Sequence, residues 1–557
     1  MLNRRWTTAW RLFRSGKFKE LLSRTFRFLS SPVVKKNEIN YSEWRGKWVE
    51  LNEEDRQRVR DHIQTFPRRL SFTLLLDTQD HDSTDVLQTI KSLLTQLYLD
   101  WFLWVVDHDS LDTEIRKKIL DLQDDRIRIV NSNPSVLGDW VVELKPGIEL
   151  HEKALFANAF LAINKPAIEL IYSDHDHKRP SGEFCDPYMK PDWNPDLFNA
   201  MNYFEPLVAC KRELWSTYRD GESDKHEFLL EVTKSINHNS IFHISNVLAS
   251  VPVDPDETHL EPACKRIAHS LPTPEPLVSI LIPTHNNGQL LEKCLESLFG
   301  KTSYPNFEVV LINHETSESK ALKVIKEFEK KSNFKTINFS GSFNFAAMMN
   351  LAGNAALGDA MVLLNDDVEI IDSGWLTELI SQVSRPEVGI VGALLLFGDG
   401  TIQHAGVHPG LGGLMGHGHK HLLCDEPGYF SRLKAVHEVA AVTGACMAIE
   451  KSTWVDLGGM NEDLAVAYND IDLCLKIRRK GLRVLFSPYA KLLHHESVSR
   501  GPDEPPEKNQ RLQSEIKLME EKWGDFLYVD PAYSPNLSLS GAGFRLAENP
   551  EYRPLSA

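Results

Sequence analysis

Three short stretches of this 557-residue chain carry side chains that could do chemistry: Asn365-Asp366-Asp367 in LLNDDVEI, Asn469-Asp470 in YNDIDLCLKIRRKG, and His494-His495 in LLHHESVSRG. The acids at 366 and 367 follow an apolar run that reads as a buried strand, where adjacent carboxylates are costly unless compensated. A divalent cation at the strand's carboxyl end would compensate them, because hard oxygen ligands suit Mg²⁺ or Mn²⁺. A turn in which Asn and Asp simply cap the strand is the competing reading. Asp470 opens a helix that turns Ile471, Leu475 and Ile477 to the core. A carboxylate in a first helical turn is favoured by the helix dipole and, ionised, can accept a proton; as a plain N-cap, Asn469 or Asp470 would do no chemistry.

The elements that must position these groups repeat along the chain. LSFTLLLDTQDHDSTDVLQTIKSLLTQLYLDWFLWVVDHDS from residue 70 and VSILIPTHNNGQLLEKCLESLFGKTSYPNFEVVLINHETSES from residue 278 share one pattern: apolar strand, polar turn, helix ending in Ser-Leu, aromatic-led second strand. Continuous apolar strands are those of parallel sheets covered on both faces. The second copy predicts strands at 277–283, 307–312, 360–364, 388–397, 445–449 and 482–486, with helices at 288–299, 319–330, 344–356 and 470–480. The fold class is therefore α/β, two tandem domains with mostly parallel sheets, whose ligands bind beyond the carboxyl ends of the strands. The expected organisation is a basic amphipathic helix at 1–31, a helical lead-in at 32–70, a first domain at 71–269, a Pro-rich linker at 270–276, a second domain at 277–525 and an irregular tail at 526–557 draped over the second domain.

Bulk properties narrow the function. Charged residues are 25% of the chain and no apolar stretch reaches the roughly 18 residues of a membrane span. Seven scattered cysteines without a CxxC pair suggest neither a disulfide framework nor a zinc site, which suits a cytoplasmic protein. Residues 1–30 carry +7, leaving −23 on the remainder of a chain whose total is −16. Within that basic segment Trp6, Trp10, Phe13, Phe18, Leu21, Leu22, Phe26 and Leu29 approximate one helical face, as in helices that lie on anionic membranes or dock on their own protein. The acidic remainder and the lack of a recognition motif argue against nucleic acid.

Taken together, VSILIPTHNN, LLNDDVEI, VTGACMAIEKSTWVDLGGMNED, YNDIDLCLKIRRKGLRV and HHESVSRG resemble, in order, the motifs of inverting family 2 glycosyltransferases with a GT-A fold. The lead-in and VDPAYSPNLSL resemble tandem members that build O-antigen and related rhamnose-containing polysaccharides. The resemblance implies a nucleoside-diphosphate sugar donor, a lipid-linked or glycan acceptor, a surface polysaccharide as product, Mg²⁺ or Mn²⁺ as cofactor, and peripheral contact with the inner face of the plasma membrane. It assigns Asp367 to the metal, Asp366 to ribose or metal, one of His494 and His495 to the metal sphere, Arg500 to the diphosphate and Asp470 to the role of general base. Pro283, Thr284 and Asn286 would meet the base or ribose. Asn313 stands where the family often has a base-reading Asp, which leaves the nucleotide open, and Asn469 where it usually has Glu. Asp472 is expected to pair with Arg478 or Arg479. The Gly- and His-rich stretch 397–421 reads as a mobile lid or acceptor loop, with Asp399, His404 and Gly444 as acceptor contacts.

The first copy has VELKPGIEL where the second has LLNDDVEI, so Pro146 and Gly147 replace the two acids. It reads as a GT-A-like domain that has lost turnover and serves packing, acceptor binding or assembly. The rival readings are a bifunctional transferase with two working sites and a non-catalytic assembly scaffold.

Overall fold

The computed structural model describes residues 39–79, 83–108, 111–131, 136–219, 224–253, 263–495, 506–541 and 543–550. The expected basic helix at 1–31 lies outside them. The described residues up to Trp48 form one unit, the helix Tyr41–Trp48, in which the Tyr41 and Trp44 rings stack 5.9 Å apart. The rest forms a second unit that contains both sheets.

Nine strands build the first sheet: β1 (Phe72–Asp77), β2 (Trp101–Val106), β3 (Ile127–Val130), β4 (Trp140–Leu144), β5 (Glu149–Leu150), β6 (Leu170–Lys178), β7 (Phe184–Tyr188), β8 (Val208–Lys211) and β9 (Ile241–Pro252). Their order is β3-β2-β1-β4-β8-β6-β9-β5, with β7 beside β6. The second sheet has β10 (Val278–Thr284), β11 (Phe307–His314), β12 (Phe334–Phe339), β13 (Ala360–Leu364), β14 (Val368–Ile370), β15 (Val388–Leu396) and β16 (Ile402–His404). After β17 (Val407–Pro409) and β18 (Met415–His417), which pair with each other, come β19 (His437–Glu438), β20 (Cys446–Glu450) and β21 (Arg483–His494). Its order is β12-β11-β10-β13-β20-β15-β21-β14, with β16 beside β15 and β19 beside β21.

Strand for strand the two orders are the same, so the sequence repeat is a repeat of topology. In both sheets the fifth strand of the path, β8 or β20, runs against both neighbours, and the short end strand, β5 or β14, runs against β9 or β21, while the remaining neighbours on the path are parallel. The sequence pattern predicted mostly parallel strands but not this reversal. A helical crossover enforces parallel neighbours, whereas β20 is reached from β15 through the long excursion 397–445, which leaves its direction free. Alternate residues feed two cores: Ile280, Ile282, Leu311 and Val362 on one face, Leu281, Ile312, Met361 and Leu363 on the other. Both faces are covered, which is why these strands are apolar throughout.

The stretch 397–421 is not a lid standing off the surface. It carries β16, β17 and β18, buries His404, His408 and His419, and is covered by the C-terminal tail. His408 Nδ1 lies 2.8 Å from Asp530 Oδ2, Gly412 N donates to Leu539 O at 2.8 Å, and His419 stacks on Phe544 at 4.1 Å. The tail also reaches the first domain: Asn536 Nδ2 donates to Ser245 O at 2.9 Å, and Asp192 N donates to Pro531 O at 2.8 Å. Between the domains, Tyr188 stacks on Phe430 and Arg385 meets Asp196 at 2.6 Å. No helix among the described residues is long and apolar enough to cross a membrane.

Candidate active site

The second sheet brings its chemistry to one edge. β10 ends at Pro283-Thr284, β11 at Asn313-His314 and β13 just before Asn365, all at carboxyl ends. Because β20 is reversed, its amino end reaches that same edge, and Asn365 N donates to Ala445 O at 3.1 Å, continuing the ladder. One residue earlier, Gly444 N donates to Asp470 Oδ2 at 2.8 Å. The path Asp470, Gly444, Ala445, Asn365 thus ties the helix Asn469–Arg479 to the acid turn.

Asp470 sits in the first turn of that helix, where its Oδ1 also accepts from Ile471 N at 2.8 Å. It is not the cap; Tyr468 is, in the left-handed region at φ 62°. Asn469 is buried, its Nδ2 donating to Leu464 O and Val466 O at 3.2 Å, so the Asn for Glu exchange falls on a residue that holds the loop. That loop has a second brace which the sequence did not reveal: Glu515 accepts from Val466 N at 2.9 Å and from Ala467 N at 3.3 Å. Asp472 does not pair with Arg478 or Arg479. It is buried against Lys522 at 2.6 Å and Trp523 Nε1 at 2.9 Å, both on the helix Pro506–Trp523 whose docking no local pattern announces.

β14 pairs antiparallel with the end of β21, placing Val368 opposite His494, and His495 N donates to Asp367 O at 3.0 Å. Successive side chains along a strand point to opposite faces, and this separates the two imidazoles. His494 Nε2 lies 3.0 Å from Asp367 Oδ1, whereas His495 Nε2 lies 3.2 Å from Glu369 Oε2. Asp366 is steadied by Thr284, whose hydroxyl donates to Oδ2 at 2.7 Å.

A spacing of 3.0 Å between an imidazole nitrogen and a carboxylate oxygen matches two adjacent ligands of one divalent ion at metal–ligand distances of about 2.1 Å. Among the described residues no group of three or more His, Cys, Asp or Glu forms a metal cage. Mg²⁺ in nucleotide sites is commonly held by one or two protein groups and completed by phosphate and water. The donor set at 367 and 494 fits that kind of ion.

At the nucleotide end Asn286, at φ 57°, turns its Oδ1 to Ser317 N and Glu318 N at 2.8 and 2.9 Å. Asn313 Oδ1 accepts from Thr316 N at 3.1 Å and its Nδ2 donates to Asn338 at 2.9 Å. Both side chains are engaged in shaping the rim. Asp399 accepts from Thr401 N at 3.0 Å within the β15–β16 turn. His404 is buried with its Nδ1 2.8 Å from His417 Nδ1, and burial, reinforced by His417, holds its imidazole well below the ordinary range. Arg500 lies outside the described residues. Gln403, which nothing in the sequence singled out, contacts His494 Nδ1 at 2.6 Å.

In the first sheet β5 pairs with β9 as β14 does with β21, with Glu149 opposite Ser250, and Gly147 lies beside Pro252. Gly147 has φ +89°, and a Cβ there would stand 2.8 Å from Pro252 Cγ. Where the second copy has an acid next to histidines, the first has a glycine closely approached by a proline.

Residues 279–419 match the family model described as glycosyl transferase family 2. Over 552 residues, 88% of this chain, it is 32% identical to the uncharacterized protein y4gI of Sinorhizobium fredii, and over 550 residues 28% identical to the O-antigen biosynthesis protein RfbC of Myxococcus xanthus. The chain spans 61% of the length of the first and 42% of the second. A third similarity, 23% over 41% of this chain and 78% of the relative, is to an N-acetylglucosaminyl-diphospho-decaprenol L-rhamnosyltransferase of Mycobacterium tuberculosis. The strand ends of β10, β11 and β13 and the acid turn all lie inside the stretch that the glycosyl transferase family 2 model matches.

Proposed function

We propose that the second domain is a divalent-metal-dependent, inverting glycosyltransferase that moves a sugar from a nucleoside-diphosphate donor to a hydroxyl of a growing surface polysaccharide of O-antigen type. The observation that carries this reading is the hydrogen-bonded path from Asp470 through Gly444 and Ala445 to Asn365, which links a candidate base to the acid turn.

Asp367 and His494 would hold Mg²⁺ or Mn²⁺, which when bound offsets the negative charge growing on the departing diphosphate. Asp366, oriented by Thr284, meets the ribose, and Pro283, Asn286 and Asn313 shape the rim for the base. Asp470 takes the proton of the acceptor hydroxyl, because an alcohol is too weak an acid to attack unassisted. Its two N–H contacts, from Gly444 and Ile471, aim the carboxylate while leaving lone pairs for that proton. Attack on the face opposite the leaving diphosphate inverts the anomeric centre. Arg500 as a diphosphate contact rests on its sequence position.

The acceptor is a lipid-linked or polymeric glycan at the inner membrane face, to which the +7 segment at 1–30 would be drawn. The first domain is a non-catalytic partner, a reading supported by the Gly147–Pro252 approach. The test is a screen of purified protein against uridine and thymidine diphosphate sugars, with and without Mn²⁺. Donor turnover that needs the ion and is lost in Asp470→Asn supports the reading; turnover equal in wild type and variant, or none with any donor, overturns it.

A further inference from the structure

We propose that Gln403 is a positioning residue that decides which face of its chemistry His494 presents to a divalent ion; the inference rests on the metal reading above. Gln403 is buried in β16, at 5% exposure, and its Oε1 is 2.6 Å from His494 Nδ1. A glutamine carbonyl can only accept, so this contact puts a proton on Nδ1, and in the neutral imidazole that tautomer leaves Nε2 with its lone pair. That Nε2 is the atom 3.0 Å from Asp367 Oδ1. Asn365 Nδ2, a donor, lies 3.4 Å from the same nitrogen, as suits an acceptor there.

Two lone pairs 3.0 Å apart repel unless a cation lies between them. Were the proton on Nε2 instead, it would bridge to Asp367 as an ordinary hydrogen bond and fill the place where two ligand atoms face an ion. A ligating imidazole is commonly held by a hydrogen bond from its other nitrogen, and loss of that partner typically costs 10–100-fold in metal affinity. β16 has little freedom to drift: Leu395 of β15 pairs with His404, and His404 in turn meets His417 of β18 at 2.8 Å. The Gly-rich stretch thus delivers a fixed amide to the back of the imidazole.

The experiment measures Mn²⁺ binding to the full chain by the electron paramagnetic resonance signal of the free ion, with uridine or thymidine diphosphate present and no acceptor, so that no turnover is read. Gln403→Leu should weaken binding about 10–100-fold, while Gln403→Glu, which keeps an acceptor for the Nδ1 proton, should bind as wild type does. Equal binding by wild type and Gln403→Leu overturns the inference and leaves the metal reading standing, as does an equal loss in both variants. A wild type that binds no Mn²⁺ overturns both. As a check that needs no variant, nitrogen-15 NMR of the wild-type imidazoles should find His494 protonated at Nδ1; protonation at Nε2 refutes the proposal.

Discussion

Gly444 and Asp470, 26 positions apart in sequence, share a 2.8 Å hydrogen bond in which the glycine N–H holds the carboxylate. Asp470→Asn keeps an oxygen for that N–H but cannot take a proton. Turnover should fall about 10²–10⁴-fold with an unchanged melting temperature and little change in donor KM. Steady-state kinetics beside a thermal melt checks both halves.

Thr284 touches Asp366 rather than any reacting atom. Thr284→Val removes a single hydrogen bond worth about 1 kcal/mol net, so donor KM should rise roughly five- to tenfold while kcat stays near wild type. A kcat loss larger than the KM change would place Thr284 in a different role.

Acid should unfold the protein through buried imidazoles. Burial, helped by the Arg432 guanidinium, pushes His437 down to about 3, and burial holds His404 and His419 well below their ordinary range. The unfolded chain then binds more protons than the folded one between about pH 6.5 and 3, so stability falls as pH falls through that window, by up to about 1.4 kcal/mol per pH unit for each such histidine. His243 works in the other direction. Burial alone would lower it, but the Asp174 and Asp192 carboxylates outweigh burial and raise it to about 9. Its contribution is complete below about pH 6.5 and is lost as pH rises through 9. Urea midpoints against pH should peak between these limits, and His243→Gln should flatten the alkaline side alone.

The tail is a structural member. Asp530→Ala strands His408 in the interior and should cost about 3 kcal/mol, read as a shift in denaturation midpoint. Burial alone would raise the Asp530 carboxyl, yet His408 holds it below the usual range, so the pair's stabilisation is present at neutral pH and is lost as pH falls through the lowered value.

Restoring an acid to the first domain should not restore chemistry. At φ +89° and 2.8 Å from Pro252 Cγ, a side chain at 147 is strained and obstructed, so Gly147→Asp should destabilise by about 2 kcal/mol or more. Assayed in an Asp470→Asn background, where a second working site would be visible, it should add no transfer.

The strands and the repeat were legible because apolar runs such as LSFTLLL and VSILIP state their burial directly, and the positions of Asp366 and Asp367 at a strand end and of Asp470 in a first helical turn were legible because apolar runs border them. The reversal of β20 was not, since strand direction is set by connections and not by composition. The choice between His494 and His495 needed the β14–β21 register, which a one-residue slip would invert. Gln403 and Glu515 act on groups 91 and 49 positions away in the chain, and a lone amide or acid carries no local mark of such a partner. The Gly-rich stretch misled for a related reason: glycines allow motion where nothing covers them, and here the residues that cover them come more than a hundred positions later.

Residues 530–539 close against the first sheet and the β17–β18 hairpin, yet on a ribosome they are made after everything they hold together. Each sheet can assemble as it emerges, but the histidine-lined insert must wait, half-finished, until more than a hundred further residues have been made before it has a roof.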